Sequence, residues 1–459
     1  MAQTDNKQGV LFQLNGRPPL SKAALIGLQH VFAMFIGNLA PILLVCGVLA
    51  SVSSTDRLML IQGAMLMSGI ATLLQIYPIK LGKRFRIGSG LPVVMGTSFA
   101  FVPTMLVLAP QYGIAGILGG SLVGGVVGIL LSIFIKPLKR FFPPVVIGSV
   151  IVTIGINLLL IGGNYFAGGV GSPTFGSIQN LGIGFLVFLI ITLLNRFAKG
   201  MLKAVGILIG IAVGYLVSAF LGMVDFSTVA AAPWFSLPRP LYFMPQFHFD
   251  AILAIAVVYI IIMLETMGNT AGITIATMDR DISTQEASGG IAASALSSML
   301  GTLFGALPNA AFGQNAGIVS MTKVINRFAV ATSAVIMISI AFLPKIGELF
   351  SAMPASVLGG AIISVFAMIF INGIKMITRN GIDEKKALTL AVTFGLGYGL
   401  GILPSETLAM PPVLSFIFKE PVTAVCVTSI LANILFTIGK KSNDKTPTSQ
   451  LTQPPSSQT

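Results

Sequence analysis

The chain has 459 residues, of which 54% are hydrophobic and 9% charged, and its mean hydropathy is +0.92. A soluble domain carries about 25% charged residues, so this composition excludes a soluble protein and points to a polytopic membrane chain. The net charge of +13 speaks for basic loops on one side of a membrane rather than for nucleic acid, because the Lys and Arg residues cluster in alternate short loops.

Residues 1–20 are polar and read as a flexible cytoplasmic tail, with no cleavable signal peptide expected. Fourteen apolar segments follow, near 23–47, 58–79, 90–108, 113–135, 143–163, 180–198, 202–222, 250–271, 287–304, 309–324, 326–344, 354–374, 386–403 and 421–439. Residues 441–459 are low in complexity and expected to be disordered. With the N-terminus inside, the cytoplasmic segments hold 23 Lys and Arg, and the outer segments hold only Arg57, Arg239, Lys345 and Lys419. A wrong number of spans would scramble that alternation, so both ends are expected in the cytoplasm. The longest outer loop, 223–249, carries the single tryptophan, Trp234, and is expected to cap the outer face at the interface. Cys46 and Cys426 have neither a disulfide framework nor a metal-ligand spacing and read as small buried apolar residues.

The third and tenth segments are rich in Gly and Pro and make poor unbroken helices. The tenth lies within Ala306–Arg327, ALPNAAFGQNAGIVSMTKVINR. There Pro308, a run of small residues, the amides of Gln314 and Asn315, and Gly317 need polar partners that hydrocarbon cannot offer. A broken helix lining a polar cavity meets that need. Weak internal matches recur in order. MFIGN from Met34 resembles ETMGN from Glu265, GLPVVMGTSFAFVP from Gly90 resembles ALPNAAFGQNAGIV from Ala306, and PPVVIGSVIV from Pro143 resembles PASVLGGAII from Pro354. Seven spans per copy is odd, so the second copy starts on the opposite side of the membrane. The result is an inverted repeat whose paired broken helices meet near the midplane.

Of the 14 acidic residues, only Glu265 lies well inside a span, in YIIIMLETMGNTAGI. A charged side chain at that depth costs about 2.5 kcal/mol or more, and such residues mark substrate sites and proton relays. His30 is the only histidine inside a span and can bond a carboxylate or handle protons, although a lone His on an apolar helix often just packs. Asn269 follows Glu265 by four residues and shares its helix face, where it either lines the cavity or braces helices. Gln314 and Asn315 offer donors and acceptors suited to a planar ligand with alternating N–H and C=O edges. Half-helices starting after Ser98 and after Asn315 would aim free N–H groups and positive dipole ends at the cavity. Phe99, beside one break, can stack on a flat ring or simply pack in the core.

At these residues the chain resembles the nucleobase–ascorbate transporter family, which includes bacterial xanthine, uric acid and uracil permeases. Gln314, Asn315, Gly317, Thr322 and Lys323 fill the family signature [Q/E]-N-x-G-x-x-x-x-T-[R/K], and GLQHV at Gly27–Val31, GTSFAFVP at Gly96–Pro103 and the Glu of LETMGN match further segments. The resemblance runs from about Ser21 to Lys440. It implies an all-α, 14-span, 7+7 inverted-repeat fold with short strands at broken spans 3 and 10. Spans 1–4 and 8–11 (21–140 and 250–345) would form a core domain that carries substrate. Spans 5–7 and 12–14 (141–222 and 346–440) would form a gate domain that supplies the dimer contact. By the same resemblance Glu265 and Gln314 bond the base from opposite sides, Phe99 stacks, backbone near Gly313 contributes, and Asn315 and His30 support the site. Gln rather than Glu at 314 resembles the purine branch. One departure is Ser294, in Ala292-Ala293-Ser294-Ala295, where purine members usually carry an Asp; Ser cannot take up a proton, so Glu265 alone would couple. The expectation is a proton-coupled purine importer of the bacterial plasma membrane, with xanthine or uric acid as substrate. The proton is the coupling ion, no cofactor or metal is expected, and the bilayer and a second copy are the partners. A uracil or other pyrimidine carrier of the same fold is the alternative within transport. A membrane sensor or intramembrane enzyme is the alternative outside it, thinly supported by one Glu and one His in separate spans.

Overall fold

In the computed structural model, residues 9–49, 52–82, 85–135, 142–199, 202–203, 205–379, 381–403, 418 and 421–437 are described; the tail expected at 441–459 lies outside them. Helix α1 (Leu20–Gly47) is followed by α2 (Ser54–Ile76), which starts at a reciprocal cap: Ser53 Oγ accepts from Asp56 N–H at 3.1 Å and the Asp56 carboxylate accepts from Ser53 N–H at 2.9 Å. A hairpin, β1 (Ile79–Leu81) and β2 (Phe85–Ile87), leads to β3 (Met95–Thr97) and a 3₁₀ turn, Phe99–Phe101. Helix α3 (Val102–Ile133) is interrupted at Gly113, whose φ of 62° only glycine adopts cheaply, and so divides where segments three and four were expected to part.

Helices α4 (Pro144–Phe166), α5 (Ile178–Phe197), α6 (Gly206–Phe220) and the short α7 (Ser227–Ala231) follow. Then come α8 (Phe249–Met278), α9 (Thr284–Thr302), β4 (Asn309–Ala311), α10 (Gly313–Thr322), α11 (Arg327–Ala341) and α12 (Pro344–Ser351). The order ends with α13 (Ala355–Thr378), α14 (Glu384–Val392) running on through a π-helical turn, Thr393–Tyr398, to Gly399–Gly401, and α15 (Pro421–Thr437).

Seven helical units among the described residues are long and apolar enough to cross a membrane: α1, α2, the turn with α3, α4, α5, α8 and α13; counting α11 with α12, bent by 84°, makes eight. The protein is therefore a mostly helical, multi-pass membrane chain. The other expected spans are shorter, more polar or broken. Segment 309–324, for example, is a strand followed by a ten-residue helix, because Pro308 interrupts the helical hydrogen-bond ladder.

The helices pack in two groups. One joins α1 and α2 to α11, and α3 to α8 and α9, around β3 and β4. The other joins α13 to α4 and α5, α5 to α6, and α15 to α4 and the π turn. Small residues let α4 and α13 approach backbone to backbone: a Cβ on Gly155 would stand 2.6 Å from Phe370 Cα. Cys46 and Cys426 are free and buried within the apolar core.

Residues 9–16, read as tail from sequence, dock on the turn between α10 and α11. Leu11 carbonyl accepts from Ile325 and Asn326 N–H, both at 3.2 Å, while Asn326 Nδ2 donates to the carbonyls of Val10, Gln13 and Gly16. The loop 223–249 lies across the helix ends on the other side: Gln62 Nε2 donates to Ser236 Oγ at 3.0 Å, Gln246 N–H donates to Ala115 carbonyl at 2.9 Å, and Lys345 sits 5.0 Å over the Trp234 ring.

Between α8 and α9, ahead of the expected span, Arg280 grips both Glu286 oxygens at 2.6 and 2.8 Å, and Ser283 with Glu286 closes a capping box. Burial alone would push the Glu286 carboxyl up, but the bonds from Arg280 and from Ser283 outweigh it and hold the group at about 2, below its ordinary 4.5. A depressed acid stabilises the fold above its unfolded value and loses that contribution as pH falls from about 4.5 towards about 2. Glu286→Gln is expected to lower the melting temperature at neutral pH and to flatten the acid limb of a stability–pH profile in detergent. A parallel downward shift at every pH would refute this.

Candidate functional site

Two broken segments cross at the centre of the first helix group. Strands β3 and β4 pair antiparallel, with Met95 opposite Ala311, Gly96 opposite Ala310 and Thr97 opposite Asn309. Ser98 N–H adds a bond to Pro308 carbonyl at 2.9 Å and Phe312 N–H one to Val94 carbonyl at 2.9 Å. Each strand turns straight into a helix. Ser98 caps the 3₁₀ turn ahead of α3 by accepting from Ala100 N–H at 3.2 Å, and α10 begins at Gly313 with no side-chain cap. The two helix starts therefore bring positive dipole ends and unused N–H groups to the ends of one short sheet.

Two asparagines hold the strands. Asn38 on α1 accepts at Oδ1 from Thr97 N–H at 2.7 Å and Thr97 Oγ1 at 3.0 Å. Asn269 on α8 donates from Nδ2 to Ala311 carbonyl at 2.8 Å. They are the matched residues of MFIGN and ETMGN, and each bonds the backbone of one strand of the pair. The Asn269 bond joins α8 to strand β4, and the Asn269 Oδ1 also lies 3.3 Å from where a Cβ on Gly313 would be. Asn38 escaped the sequence reading, although the repeat match contained it.

Asn315, on the first turn of α10, is buried and tied to α1: its Nδ2 donates to His30 Nδ1 and to His30 carbonyl, each at 3.0 Å. A carbonyl can only accept, which fixes the amide nitrogen on that side, and the ring nitrogen then accepts too. His30 is thus fully buried and engaged at one end of its ring.

Two phenylalanines, Phe99 and Phe312, lie beside the breaks. Phe99 meets Phe366 of α13 edge to face, centroids 5.3 Å apart. Phe312, also missed from sequence, lies against two glycines: a Cβ on Gly37 would stand 2.7 Å from its ring and 3.7 Å from the Phe99 ring, and one on Gly96 would overlap Phe312 and stand 3.0 Å from Met34 Cε. Gly37 and Gly96 seat it, but nothing in the sequence sets them apart from the other glycines.

Glu265 and Gln314 stand apart from these networks. Both are half-buried, and neither side chain makes a hydrogen bond or ion pair among the described residues. Glu265 lies one helical turn from Asn269 on the same face of α8, and Asn269 abuts Gly313, the residue before Gln314. A free carboxyl and a free amide thus flank helix starts rich in unused donors.

Ser294 on α9 is buried and donates to the Asn309 carbonyl at 2.7 Å, while Ser298 Oγ accepts from Asn309 N–H at 2.9 Å. The structure therefore joins Ser294 to strand β4 and gives it a structural bond. Ser294→Ala is expected to cost about 1 kcal/mol of stability, the worth of one neutral hydrogen bond, and to leave the pH dependence of the protein's activity unchanged. Thermal melts and pH profiles check the two halves separately.

The family model described as Permease family matches residues 21–406. The xanthine permease of Bacillus subtilis (strain 168) is 35% identical over 427 residues, covering 93% of this chain and 96% of the relative. Uric acid permease PucJ of the same organism is 35% identical over 427 residues, covering 92% of this chain and 94% of the relative. Among solved structures the chain is similar to the transmembrane domain of a cyanobacterium bicarbonate transporter, BicA, with a TM-score of 0.60 at 15% identity, covering 93% of this chain and all of that one. At that identity the likeness is one of fold.

Proposed function

Because the chain belongs to the nucleobase–ascorbate transporter family, we propose that it is a proton-coupled symporter that imports a purine base, xanthine or uric acid, across the bacterial plasma membrane. The observation that carries this reading is the pair of unpartnered groups, Glu265 and Gln314, beside two helix starts that offer free N–H donors. A purine base presents adjoining donors and acceptors in one plane, and such a ligand satisfies an acid, an amide and backbone N–H groups together. Gln314 reads one edge of the ring and backbone at Gly313 adds to it. Glu265 bonds the opposite edge and carries the proton. Phe99 supplies the stacking face. Asn315 and His30 hold the start of α10 in place, Asn269 holds the strand before it, and Ser294 supports that strand without titrating.

The reading includes 14 spans in a 7+7 inverted repeat, both termini cytoplasmic, and a homodimer through the gate domain. The ordered sequence matches, the 23-to-4 charge split and the matched asparagines Asn38 and Asn269 support it. In the cycle, protonation of Glu265 from outside and binding of the base neutralise the core, 21–140 and 250–345. The core then moves against the gate, and Phe99 leaves its contact with Phe366. The test is uptake of labelled xanthine and urate by cells expressing the protein, with unlabelled purines and uracil as competitors. Saturable uptake that collapses with a protonophore is expected; no uptake of either base, with the protein present in the membrane, overturns the proposal.

A further inference from the structure

The hairpin β1–β2 is a two-stranded sheet on its own. Such hairpins are marginal in water unless something packs against them. One side is held: Gly88 N–H donates to the Gly289 carbonyl at 2.8 Å, on α9, and Arg86 reaches back to the Ser89 carbonyl. The other side is bare. Tyr77, Ile79 and Leu81 are 48%, 48% and 52% exposed. Ile79 and Leu81 leave the strand on the face opposite to Lys80, since side chains alternate along a strand.

The charge pattern is as pointed as the apolar one. Lys80 pairs directly with Arg86 across the ladder. Like charges at directly opposed positions destabilise a sheet unless an anion lies between them. None is supplied nearby in sequence: no Asp or Glu occurs between Asp56 and Asp225, and Lys83 and Arg84 add two more cations to the sequence there. The Glu286 carboxylate at the start of α9 is held on both oxygens by Arg280. Arg86 Nε is buried and unpartnered among the described residues. The height is right for a membrane surface as well. The hairpin starts three residues beyond the end of α2, a membrane-length helix, and rests on the opening turns of α9. Apolar side chains on one face and cations on the other, at the end of a span, make an interfacial element that selects anionic lipid.

We propose that the hairpin is a lipid anchor: Tyr77, Ile79 and Leu81 enter the interfacial layer of the adjacent leaflet, and Lys80, opposed by Arg86, takes the phosphate of an anionic phospholipid. The single tryptophan gives a direct test, because Trp234→Phe provides a silent background into which Leu81→Trp or, separately, Ile79→Trp is placed. Each protein is reconstituted in phosphatidylcholine–phosphatidylglycerol bilayers with bromine on the chains of one lipid at a time. The introduced indole is expected to emit to the blue of a water-exposed indole and to lose about half of its intensity to brominated lipid, more to the glycerol than to the choline species. Adding Lys80→Glu should erase the difference between the two headgroups. Water-like, unquenched emission at both positions overturns the proposal. So does quenching that is equal for the two headgroups and indifferent to Lys80→Glu. The readout is independent of transport, so it stands or falls separately from the substrate assignment.

Discussion

Glu265→Gln should abolish concentrative uptake of xanthine and urate while sparing exchange of base across the membrane. The amide keeps the size of the carboxyl and can still bond the ring edge, but it cannot gain or lose a proton. With Glu265 as the proposed proton carrier, the variant then has nothing through which a proton gradient does work. Accumulation should fall to the level set by the base's own gradient, and uptake should lose its response to external pH. Counterflow in proteoliposomes should persist with affinity weakened by up to about tenfold, since the bond from a protonated carboxyl is worth about 0.5–1.5 kcal/mol and 1.4 kcal/mol is tenfold. Concentrative, protonophore-sensitive uptake by Glu265→Gln would sink the assignment of the proton to this residue. The position of Ser294 gives the experiment its edge. In this chain Ser294 is bonded to the Asn309 carbonyl, so no acid at that place on α9 stands ready to take over.

Local features of this chain are legible in its sequence, and long-range contacts are not. Composition, the alternation of basic loops and the two Gly/Pro-rich segments made the membrane class and the two breaks legible, because these are properties of short stretches. The pairing of Met95–Thr97 with Asn309–Ala311 was foreshadowed only by family resemblance, since three-residue strands of small residues carry little β signal of their own. Asn38 could have been found, as the repeat match placed it opposite Asn269. The Phe312 seat, the Phe99–Phe366 contact and the docking of residues 9–16 on Asn326 could not. Each joins residues far apart in sequence, and the glycines that permit the closest approaches look like any others until the helices are packed. Glu265 and Gln314 were legible for the opposite reason: a carboxyl and an amide in apolar surroundings stand out, whatever they touch.

Neighbouring amides on α10 are expected to fail differently. Gln314→Ala removes a side chain that bonds nothing else among the described residues, so it should weaken substrate binding without moving the melting temperature. Asn315→Ala removes two bonds that tie α10 to His30, at 3.0 Å each. It leaves a buried ring nitrogen unpartnered, at a cost of about 1–3 kcal/mol, while the His30 carbonyl keeps the helical bond its place within α1 gives it. Part of that is offset, because Asn315 Oδ1 is itself buried without a partner and goes with the side chain. The net result should be a lower melting temperature together with a loss of transport, since the start of α10 carries Gly313 and Gln314 and shifts with its tether. Ligand should restore little stability to either variant: Gln314→Ala because it binds poorly, Asn315→Ala because the misplaced helix start binds poorly as well. Thermal melts with and without xanthine, set beside uptake kinetics, separate the two. A melt for Asn315→Ala equal to wild type would show that the His30 bonds are dispensable. A destabilised Gln314→Ala would mean that its amide serves the fold rather than the ligand.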